Sequence, residues 1–260
     1  MKLKIYQIDA FAEKVFEGNP AAVVPLEDWL PDEIMQKIAL ENNLSETAFF
    51  VPVENVFHIR WFTPIDEVNL CGHATLASAH VLFHHLNYTE KEIRFDSRSG
   101  ILKVKKEQDL IVLDFPASKL TEIEIPENLK NAFNYQPVRS LKGRDDIMLI
   151  FENEEQITQL KPDVQQILAS KTRGVVVTSK SEKYDFVSRF FAPAVGVNED
   201  PVTGSAHTML IPYWSGVLGK TELMAKQVSA RGGALHCKNL GKRVEIGGQT
   251  VTFLIGEITI

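Results

Sequence analysis

The sequence is poor in cysteine, and Cys71 and Cys237 are its two thiols. Their local settings differ, which argues against a disulfide framework and against a thiolate metal site that needs several ligands. Residues 1–11 alternate charged and apolar side chains and do not resemble a secretion signal, so they predict a strand. We therefore expect a cytoplasmic protein with reduced thiols.

Positive charge and long apolar runs are scarce as well. The formal net charge is −6, and the lysines and arginines do not form a stripe that could neutralise a phosphate backbone. The longest apolar stretches, Thr47–Val53 and Ala74–Phe83, fall well short of the roughly 20 residues that a membrane span needs. The sequence therefore predicts neither a nucleic-acid partner nor a membrane partner.

Several motifs of cofactor and metal enzymes are missing from the sequence. No Gly-x-Gly-x-x-Gly follows a strand and no Walker loop occurs, so a nucleotide cofactor has no predicted binding site. His-Glu-x-x-His and Cys-x-x-Cys are absent and the histidines lack ligand spacing, so we expect no metal. The absence of Gly-x-Ser-x-Gly argues against an α/β-hydrolase.

The apolar residues that are present follow strand and helix periods. The strand pattern Lys2–Phe11, the turn residues 17–20 and the apolar run Ala21–Leu26 together predict a hairpin. Helical spacing over Pro31–Glu41 predicts a first helix. The segment Ala74–Phe83 is small or apolar on nearly every face, which predicts a buried helix.

The second half of the chain repeats this order of patterns. Strand signals over Ile93–Phe115 predict a meander, and the proline-containing stretch that follows predicts a domain boundary between 1–116 and 117–260. Beyond it, Val164–Ala169 has helical character, and another loop and helix begin at Asp200. These patterns indicate two domains of similar design.

Individual residues repeat too. The segment that starts at Arg60 matches the one that starts at Arg189 at a constant offset, with Arg, Phe, Pro, Val and Asn identical. This match predicts a duplicated domain and aligns Cys71 with Asp200, each just before a buried helix. If the two halves face each other, both helix N-termini converge on one cleft, where a substrate carboxylate would fit.

The residues at these helix starts are candidates for binding. Gly72 and Gly204 allow the backbone to come close to a ligand, and His73 and Ser205 can hydrogen-bond it. Each polar residue also has a structural alternative. His73 fits a capping or structural histidine, Ser205 an N-cap, and Asp200 a turn or N-cap residue.

Glu46 and Cys71 are the candidate proton carriers. Glu46 lies where a loop enters a strongly apolar strand, and a carboxyl group held in apolar surroundings is a useful general acid/base. The alternative is a solvated glutamate at a strand end. A thiol such as Cys71 at a helix start can act as a base, or it can be a small buried hydrophobe. A two-thiol racemase would need a second cysteine where Asp200 stands.

Taken together, these segments resemble the PhzF family of phenazine-biosynthesis-like proteins, whose fold is similar to that of diaminopimelate epimerase. The motifs that carry the resemblance span nearly the whole chain in the family's order. They are Asp9-Ala10-Phe11, Gly18-Asn19-Pro20-Ala21, Asn43-Leu44-Ser45-Glu46-Thr47, Phe62-Thr63-Pro64, Cys71-Gly72-His73-Ala74-Thr75, Glu199-Asp200-Pro201-Val202-Thr203-Gly204-Ser205-Ala206 and Arg231-Gly232-Gly233.

The resemblance implies an α+β fold of two similar domains, each a curved, mostly antiparallel sheet wrapped around a central apolar helix, with a cleft between them. It also implies a homodimer with no metal and no organic cofactor. Family members that are understood isomerise a dihydro-hydroxyanthranilate acid by proton transfer. The implied site has Glu46 as acid/base, assistance from His73, Asp200 and Ser205, and substrate contacts from Cys71, Gly72 and Gly204.

One departure from the family pattern affects the substrate. Members dedicated to phenazine synthesis tend to have a small non-thiol residue before Gly-His-Pro, whereas this chain has Cys71 before Gly72-His73-Ala74. The sequence therefore predicts a cofactor-independent isomerase of a small carboxylic acid without naming that acid. Two alternatives stay open. One is an amino-acid epimerase that uses Cys71 and Asp200, and the other is a non-catalytic carboxylate-binding protein.

Overall fold

A computed structural model describes residues 1–260. The helices are α1 (Asp32–Asn42), α2 (Gly72–His85), α3 (Glu127–Lys130), α4 (Glu154–Gln159), α5 (Val164–Ala169) and α6 (Gly204–Leu218). The strands are β1 (Lys2–Ala10), β2 (Asn19–Pro25), β3 (Glu46–Val53), β4 (Val56–Phe62), β5 (Glu67–Val68), β6 (Glu92–Ser97), β7 (Gly100–Glu107), β8 (Leu110–Pro116), β9 (Thr121–Ile123), β10 (Arg139–Lys142), β11 (Asp146–Ile150), β12 (Gly174–Lys180), β13 (Phe186–Ala192), β14 (Val197–Asp200), β15 (Glu222–Gln227), β16 (Gly233–Asn239), β17 (Arg243–Gly248) and β18 (Thr250–Thr259). None of the helices combines the length and the apolar character needed to cross a membrane.

The chain divides into two compact units. The first contains 1–114 and 247–260, and the second contains 115–246. The first division lies close to the predicted boundary at 116/117. The last segment, by contrast, folds with the first unit, because β18 pairs antiparallel with β1 from Lys2 opposite Thr259 to Ala10 opposite Thr250.

The first unit is a mostly antiparallel sheet packed on the buried helix α2. Its strands follow the order β18-β1-β2-β3-β4-β6-β7-β8, and the pairs β2–β3 and β4–β6 are parallel. Every α2 residue in 73–82 is buried, as its apolar composition predicts. Helix α1 contributes Met35, Ile38 and Ala39 to a separate core cluster with strand residues.

The second unit has the same plan around α6. Its strands follow the order β9-β10-β11-β12-β13-β15-β16, and the pairs β11–β12 and β13–β15 are parallel. Helix α6 is also mostly buried, with Trp214 against Phe186 in a stacked ring contact. The order of strand directions is the same in both units. From β1 to β7 in the first unit, and from β10 to β16 in the second, neighbouring strands pair in the sequence antiparallel, parallel, antiparallel, parallel, antiparallel. The two units therefore share one strand order, which agrees with the predicted duplication.

The helix starts show one error in the sequence alignment. Cys71 is the N-cap of α2, as expected, but the N-cap of α6 is Thr203. Asp200 is the last residue of β14, and Pro201 and Val202 form an additional loop before the helix. The prediction that Asp200 stands immediately before the helix, in the position of Cys71, is therefore wrong.

Candidate active site

Glu46 is the first residue of β3, where the predicted loop enters the strand. Asn43 ends α1 in the left-handed conformation, with φ of 49°, which turns the chain from the helix toward the strand. The Asn42 side chain then donates a hydrogen bond to Thr47 Oγ1 at 3.0 Å and holds the start of β3. The Glu46 side chain is only 17% exposed, so it is not a solvated glutamate.

His73 connects three polar residues at the start of α2. Its Nε2 lies 3.2 Å from Glu46 Oε2. On the other side of the ring, Nδ1 lies 3.2 Å from Asn19 Nδ2 and 3.5 Å from Cys71 Sγ. The structure thus brings the predicted residues Glu46, Cys71 and His73 together in the first unit, with Gly72 between the last two.

The contact between Glu46 and His73 is close but not aligned as a hydrogen bond. Glu46 Oε2 and His73 Nε2 are both buried, and neither has a hydrogen-bond partner in the structure. Buried polar atoms are nearly always satisfied, and an exception requires an explanation. A site where a ligand meets both atoms supplies such an explanation.

The surroundings shift the proton affinities of His73 and Cys71. Burial alone lowers the pKa of His73, but its contacts with Cys71 and Glu46 outweigh burial and raise that pKa well above the ordinary value. Burial and the Glu46 carboxylate raise the pKa of the Cys71 thiol to about 11. The neighbouring groups thus favour the protonated form of His73, and burial favours the neutral thiol of Cys71.

Asn19 is a site residue that sequence reasoning did not select. It is fully buried, and its position follows from the sharp turn at Gly18, where φ is +66° and a Cβ would lie 2.1 Å from the Ala10 carbonyl oxygen. Only glycine fits such a position. The Gly18-Asn19-Pro20 motif was a usable signal, but turn chemistry alone did not reveal that Asn19 reaches a histidine 54 residues away.

In the second unit, the predicted residues Asp200, Gly204 and Ser205 surround the start of α6. Asp200 accepts a hydrogen bond from the Thr203 hydroxyl. The buried Gln227 donates to the Asp200 carbonyl at 2.7 Å and accepts from the Thr203 backbone at 2.9 Å. Sequence reasoning missed Thr203 because the loop that precedes α6 was assigned too few residues, and it missed Gln227 because that side chain reaches the loop from β15.

Ser205 belongs to a separate polar cluster of the second unit. Arg173 donates to Ser205 Oγ at 3.3 Å and forms a salt bridge with the buried Asp146. Burial raises the pKa of Asp146, although the Arg173 guanidinium opposes that shift. Ser205 is thus held by an arginine, and its side chain makes no capping hydrogen bond.

The first-unit site also collects atoms that could bind a metal. Glu46, Cys71 and His73 each offer one ligand atom, and these atoms all lie within 4.8 Å of one another. Carboxylate, thiolate and imidazole are the three ligand types that zinc takes from proteins.

Comparison with known proteins identifies the family. The family model PhzC-PhzF, described as phenazine biosynthesis-like protein, matches residues 8–256. The chain belongs to the PhzC-PhzF family. A PhzC-PhzF relative from Pseudomonas aeruginosa, named an uncharacterized isomerase, is 50% identical over 99% of both chains. The crystal structure of a PhzF-family protein from Enterococcus faecalis covers 100% of both chains with a TM-score of 0.97 and 45% identity.

These findings make this PhzC-PhzF protein an isomerase, so the non-catalytic alternative is set aside. The fold extends further than the family. A hydroxyproline epimerase from Agrobacterium vitis, whose structure holds trans-4-hydroxy-L-proline, has a TM-score of 0.66 and covers 99% of this chain and 92% of its own. At 8% identity this likeness shows the fold alone. The predicted diaminopimelate epimerase-like fold is therefore confirmed.

Proposed function

We propose that this isomerase moves a proton between carbon atoms of a small carboxylic acid, with Glu46 as the general acid/base and without a cofactor. One observation carries the proposal. The carboxylate of Glu46 and the imidazole of His73 are buried 3.2 Å apart, and neither facing atom has an aligned hydrogen bond. A carboxylate in this setting lies beside a cation and is available to a substrate.

The chemistry follows from these positions. Glu46 takes a proton from an acidic carbon, and the C–H electron pair delocalises into the substrate as an enolate. The free N–H groups at the start of α2 and the His73 imidazolium stabilise the negative charge that develops. Glu46 then returns the proton to a different carbon, so one C–H bond breaks, another forms, and no oxidant or reductant is required.

The direct test is proton exchange in heavy water. Cyclic and aliphatic carboxylic acids are incubated with the protein in D₂O, and NMR detects deuterium that enters carbon. We expect at least one acid to exchange and to give an isomer. If none exchanges under any condition in which the protein is folded, the proposed chemistry is wrong.

Glu46→Gln separates catalysis from binding. The amide keeps the shape of the side chain but cannot take the proton, so turnover should fall by roughly 10²-fold to 10⁴-fold while the substrate still binds. Glu41→Gln is the matched control, because Glu41 is an exposed glutamate near the end of α1, shortly before Glu46 in the chain. Full activity of Glu46→Gln would refute the assignment of the base.

The rival chemistry is an epimerase that uses Cys71 and Asp200. Its support is the 3.5 Å contact between Cys71 Sγ and His73 Nδ1. Against it, burial and Glu46 raise the pKa of Cys71 to about 11, which makes the thiol a poor base at neutral pH. Loss of exchange at a substrate α-carbon in Cys71→Ser but not in Glu46→Gln would favour the epimerase.

We assign supporting roles to the remaining predicted residues. Asp200 and Ser205 assist substrate binding or proton handling, while Cys71, Gly72 and Gly204 contribute substrate contacts. What supports this assignment is the family resemblance of both helix-start motifs. Asp200→Asn and Ser205→Ala should reduce kcat/KM of the exchange reaction without changing the thermal midpoint of unfolding.

We also propose that the protein acts in a biosynthetic process as a cytoplasmic homodimer. Both cysteines are free and buried, which suits a reducing compartment. The dimer is supported by exposed apolar residues on β18, namely Phe253, Leu254 and Ile255, since exposed apolar surface is typical of interaction sites. Light scattering on the purified protein tests the dimer, and a monomer at working concentration would contradict it.

A further inference from the structure

The second unit contains a counterpart of the place where His73 meets Glu46. His73 is the second residue of α2, and Ser205 is the second residue of α6. Glu46 is the first residue of β3 and Gly174 is the first residue of β12, and each of these strands has one parallel and one antiparallel neighbour. The helix residue and the strand start are therefore equivalent in the two units.

The strand registers support this equivalence. Arg60 of β4 lies opposite Phe49 of β3. Arg189 of β13 lies opposite Val177 of β12. Both partners stand three residues after the first residue of their strand, so the two strand starts match position by position. Arg173, the residue just before β12, therefore lies next to the position that holds the candidate base in the first unit.

The two units place opposite charges against the equivalent helix residue. His73 Nε2 lies 3.2 Å from a carboxylate oxygen, Glu46 Oε2. Ser205 Oγ lies 3.3 Å from a guanidinium nitrogen, Arg173 Nη2. The second unit thus presents a cation where the first unit presents the candidate base, and a guanidinium is well suited to the binding of carboxylates.

Asp146 and Phe190 hold this guanidinium in position. The Asp146 carboxylate accepts hydrogen bonds from Arg173 Nε, at 2.9 Å, and from Arg173 Nη2, and its side chain is only 4% exposed. The guanidinium carbon lies 5.7 Å from the centre of the Phe190 ring. A Cβ at residue 174 would lie 2.3 Å from that ring and 3.2 Å from Asp146 Oδ1, so glycine leaves room for both partners of Arg173.

Arg173 and Ser205 still have donors available for a ligand. The hydrogen bonds of the Arg173 side chain use Nε and Nη2, which leaves the N–H groups of Nη1, and 39% of the side chain is exposed. Ser205 Oγ accepts from Arg173, so the hydroxyl hydrogen can be donated to another acceptor. Guanidinium and hydroxyl donors together match the two oxygens of a carboxylate.

We propose that Arg173, together with Ser205, binds the carboxylate of the substrate. Because Asp146 offsets the charge of the guanidinium, the affinity comes from charge-assisted hydrogen bonds and not from net charge. Such hydrogen bonds favour a carboxylate over an uncharged amide of the same shape. The role toward the substrate rests on the proposed function, whereas the binding of a carboxylate does not.

The kinetic test uses an acid that exchanges in D₂O. The double substitution of Asp146→Asn with Arg173→Gln removes both charges and leaves no buried carboxylate unpaired, so the fold should be kept. KM should rise by roughly 10-fold to 100-fold, the value of a hydrogen bond to a charged group, while kcat changes little. Arg173→Lys keeps the charge without the planar fork and should lie between the parent and the double variant.

The matched control is the double substitution of Glu122→Gln with Arg139→Gln. Arg139 also belongs to the second unit, donates to both carboxylate oxygens of Glu122 and lies over the ring of Tyr213. Its side chain is 46% exposed, close to the value for Arg173. The control should keep the KM of the parent protein. An equal rise of KM in the control, or an unchanged KM in the Arg173 double variant, would overturn the site.

Direct binding provides a second readout that does not require turnover. Benzoate and benzamide share one ring and differ in the carboxylate, and ¹⁵N–¹H NMR titrations of the full-length chain measure both affinities. The parent protein and the Arg139 control should prefer benzoate, and the Arg173 double variant should lose that preference. A parent protein without the preference, or a variant that keeps it, would overturn the site.

The outcomes distinguish this site from the proposed function. If an acid exchanges and its KM rises in the Arg173 double variant alone, both inferences are supported. If an acid exchanges and its KM is unchanged in that variant, the carboxylate site alone is wrong. If no acid exchanges but the preference for benzoate depends on Arg173, the carboxylate site stands and the proton-transfer function fails.

Discussion

The two units have the same architecture and different chemistry at their central helices. Each helix begins with glycine after an extended N-cap residue, and its fourth residue contacts the N-cap carbonyl, through Thr75 in α2 and His207 in α6. Two strands before each helix an arginine pairs bidentately with a glutamate, Arg60 of β4 with Glu67 and Arg189 of β13 with Glu199. The supporting structure was therefore retained while the polar residues at the helix starts diverged.

The divergence is clearest at the strand that carries the candidate base. Glu46 is the first residue of β3 and pairs with Ala21 on a parallel neighbour. Gly174 is the first residue of β12 and pairs in the same way with Asp146. One unit thus presents a carboxylate where the other has no side chain, which shows how a duplicated scaffold can place its proton carrier on one side only.

The largest effect should come from two glycines that share one backbone conformation. Gly18 and Gly219 both have φ of +66°, but a Cβ at Gly18 would meet the Ala10 carbonyl oxygen at 2.1 Å, whereas nothing lies near one at Gly219. Gly18→Ala should cost about 3 to 5 kcal/mol in unfolding free energy and Gly219→Ala about 1 kcal/mol, because only the first adds a backbone clash to the strain. Denaturant titration of both variants measures the difference, and equal costs would contradict it.

The next effect distinguishes two of the buried helix histidines, His73 and His207, by pH. Burial lowers the pKa of His207 to about 4, and the Thr203 carbonyl opposes that shift only in part. The contribution of His207 to the unfolding free energy is therefore complete above pH 6.5 and is lost as the pH falls toward 4. The pKa of His73 is raised instead. Its contribution to the unfolding free energy is therefore present below pH 6.5 and is lost as the pH rises through the raised pKa.

His207→Gln should therefore lose less unfolding free energy than the parent protein between pH 6.5 and 4, by about 2 to 3 kcal/mol. Glutamine can still donate to the Thr203 carbonyl, so the helix start is kept. Urea titrations at several pH values provide the measurement. Parallel pH profiles for the variant and the parent would contradict the assignment of this acid sensitivity to His207.

A smaller effect is expected at Gly174. A Cβ there would lie 2.3 Å from the Phe190 ring, so Gly174→Ala should cost about 1 to 3 kcal/mol through overpacking. Adding Phe190→Leu should recover part of that loss, which a double-mutant cycle would show as coupling. Additive costs would mean that the Phe190 ring does not restrict the side chain at residue 174. The presence of glycine there, where β3 has Glu46, would then need another cause.

Much of this fold could be predicted from local patterns. The buried helix, the first hairpin and the duplication were all visible, because apolar period and turn residues act over short distances. The position of β18 could not be predicted, because an alternating strand pattern does not specify which strand will be its partner. The residue match also could not detect the loop at Pro201 and Val202. Because of that loop, α6 begins after Thr203 and not after Asp200.

The candidate site was predicted in part. Glu46, Cys71 and His73 lie together, and their catalytic and binding roles stay predictions, as do those of Asp200 and Ser205. Asn19 and Gln227 were missed because each acts through a contact with a residue distant in sequence. Such contacts depend on tertiary structure, which periodicity does not encode.

The return of β18 to the first unit has a consequence for synthesis of the chain. Residues 115–246 are continuous in sequence, so the second unit leaves the ribosome complete while the first still lacks the strand that pairs with β1. During that interval β1 has one unpaired edge, and unpaired strand edges promote aggregation. The unit that is made first is therefore the one that finishes folding last.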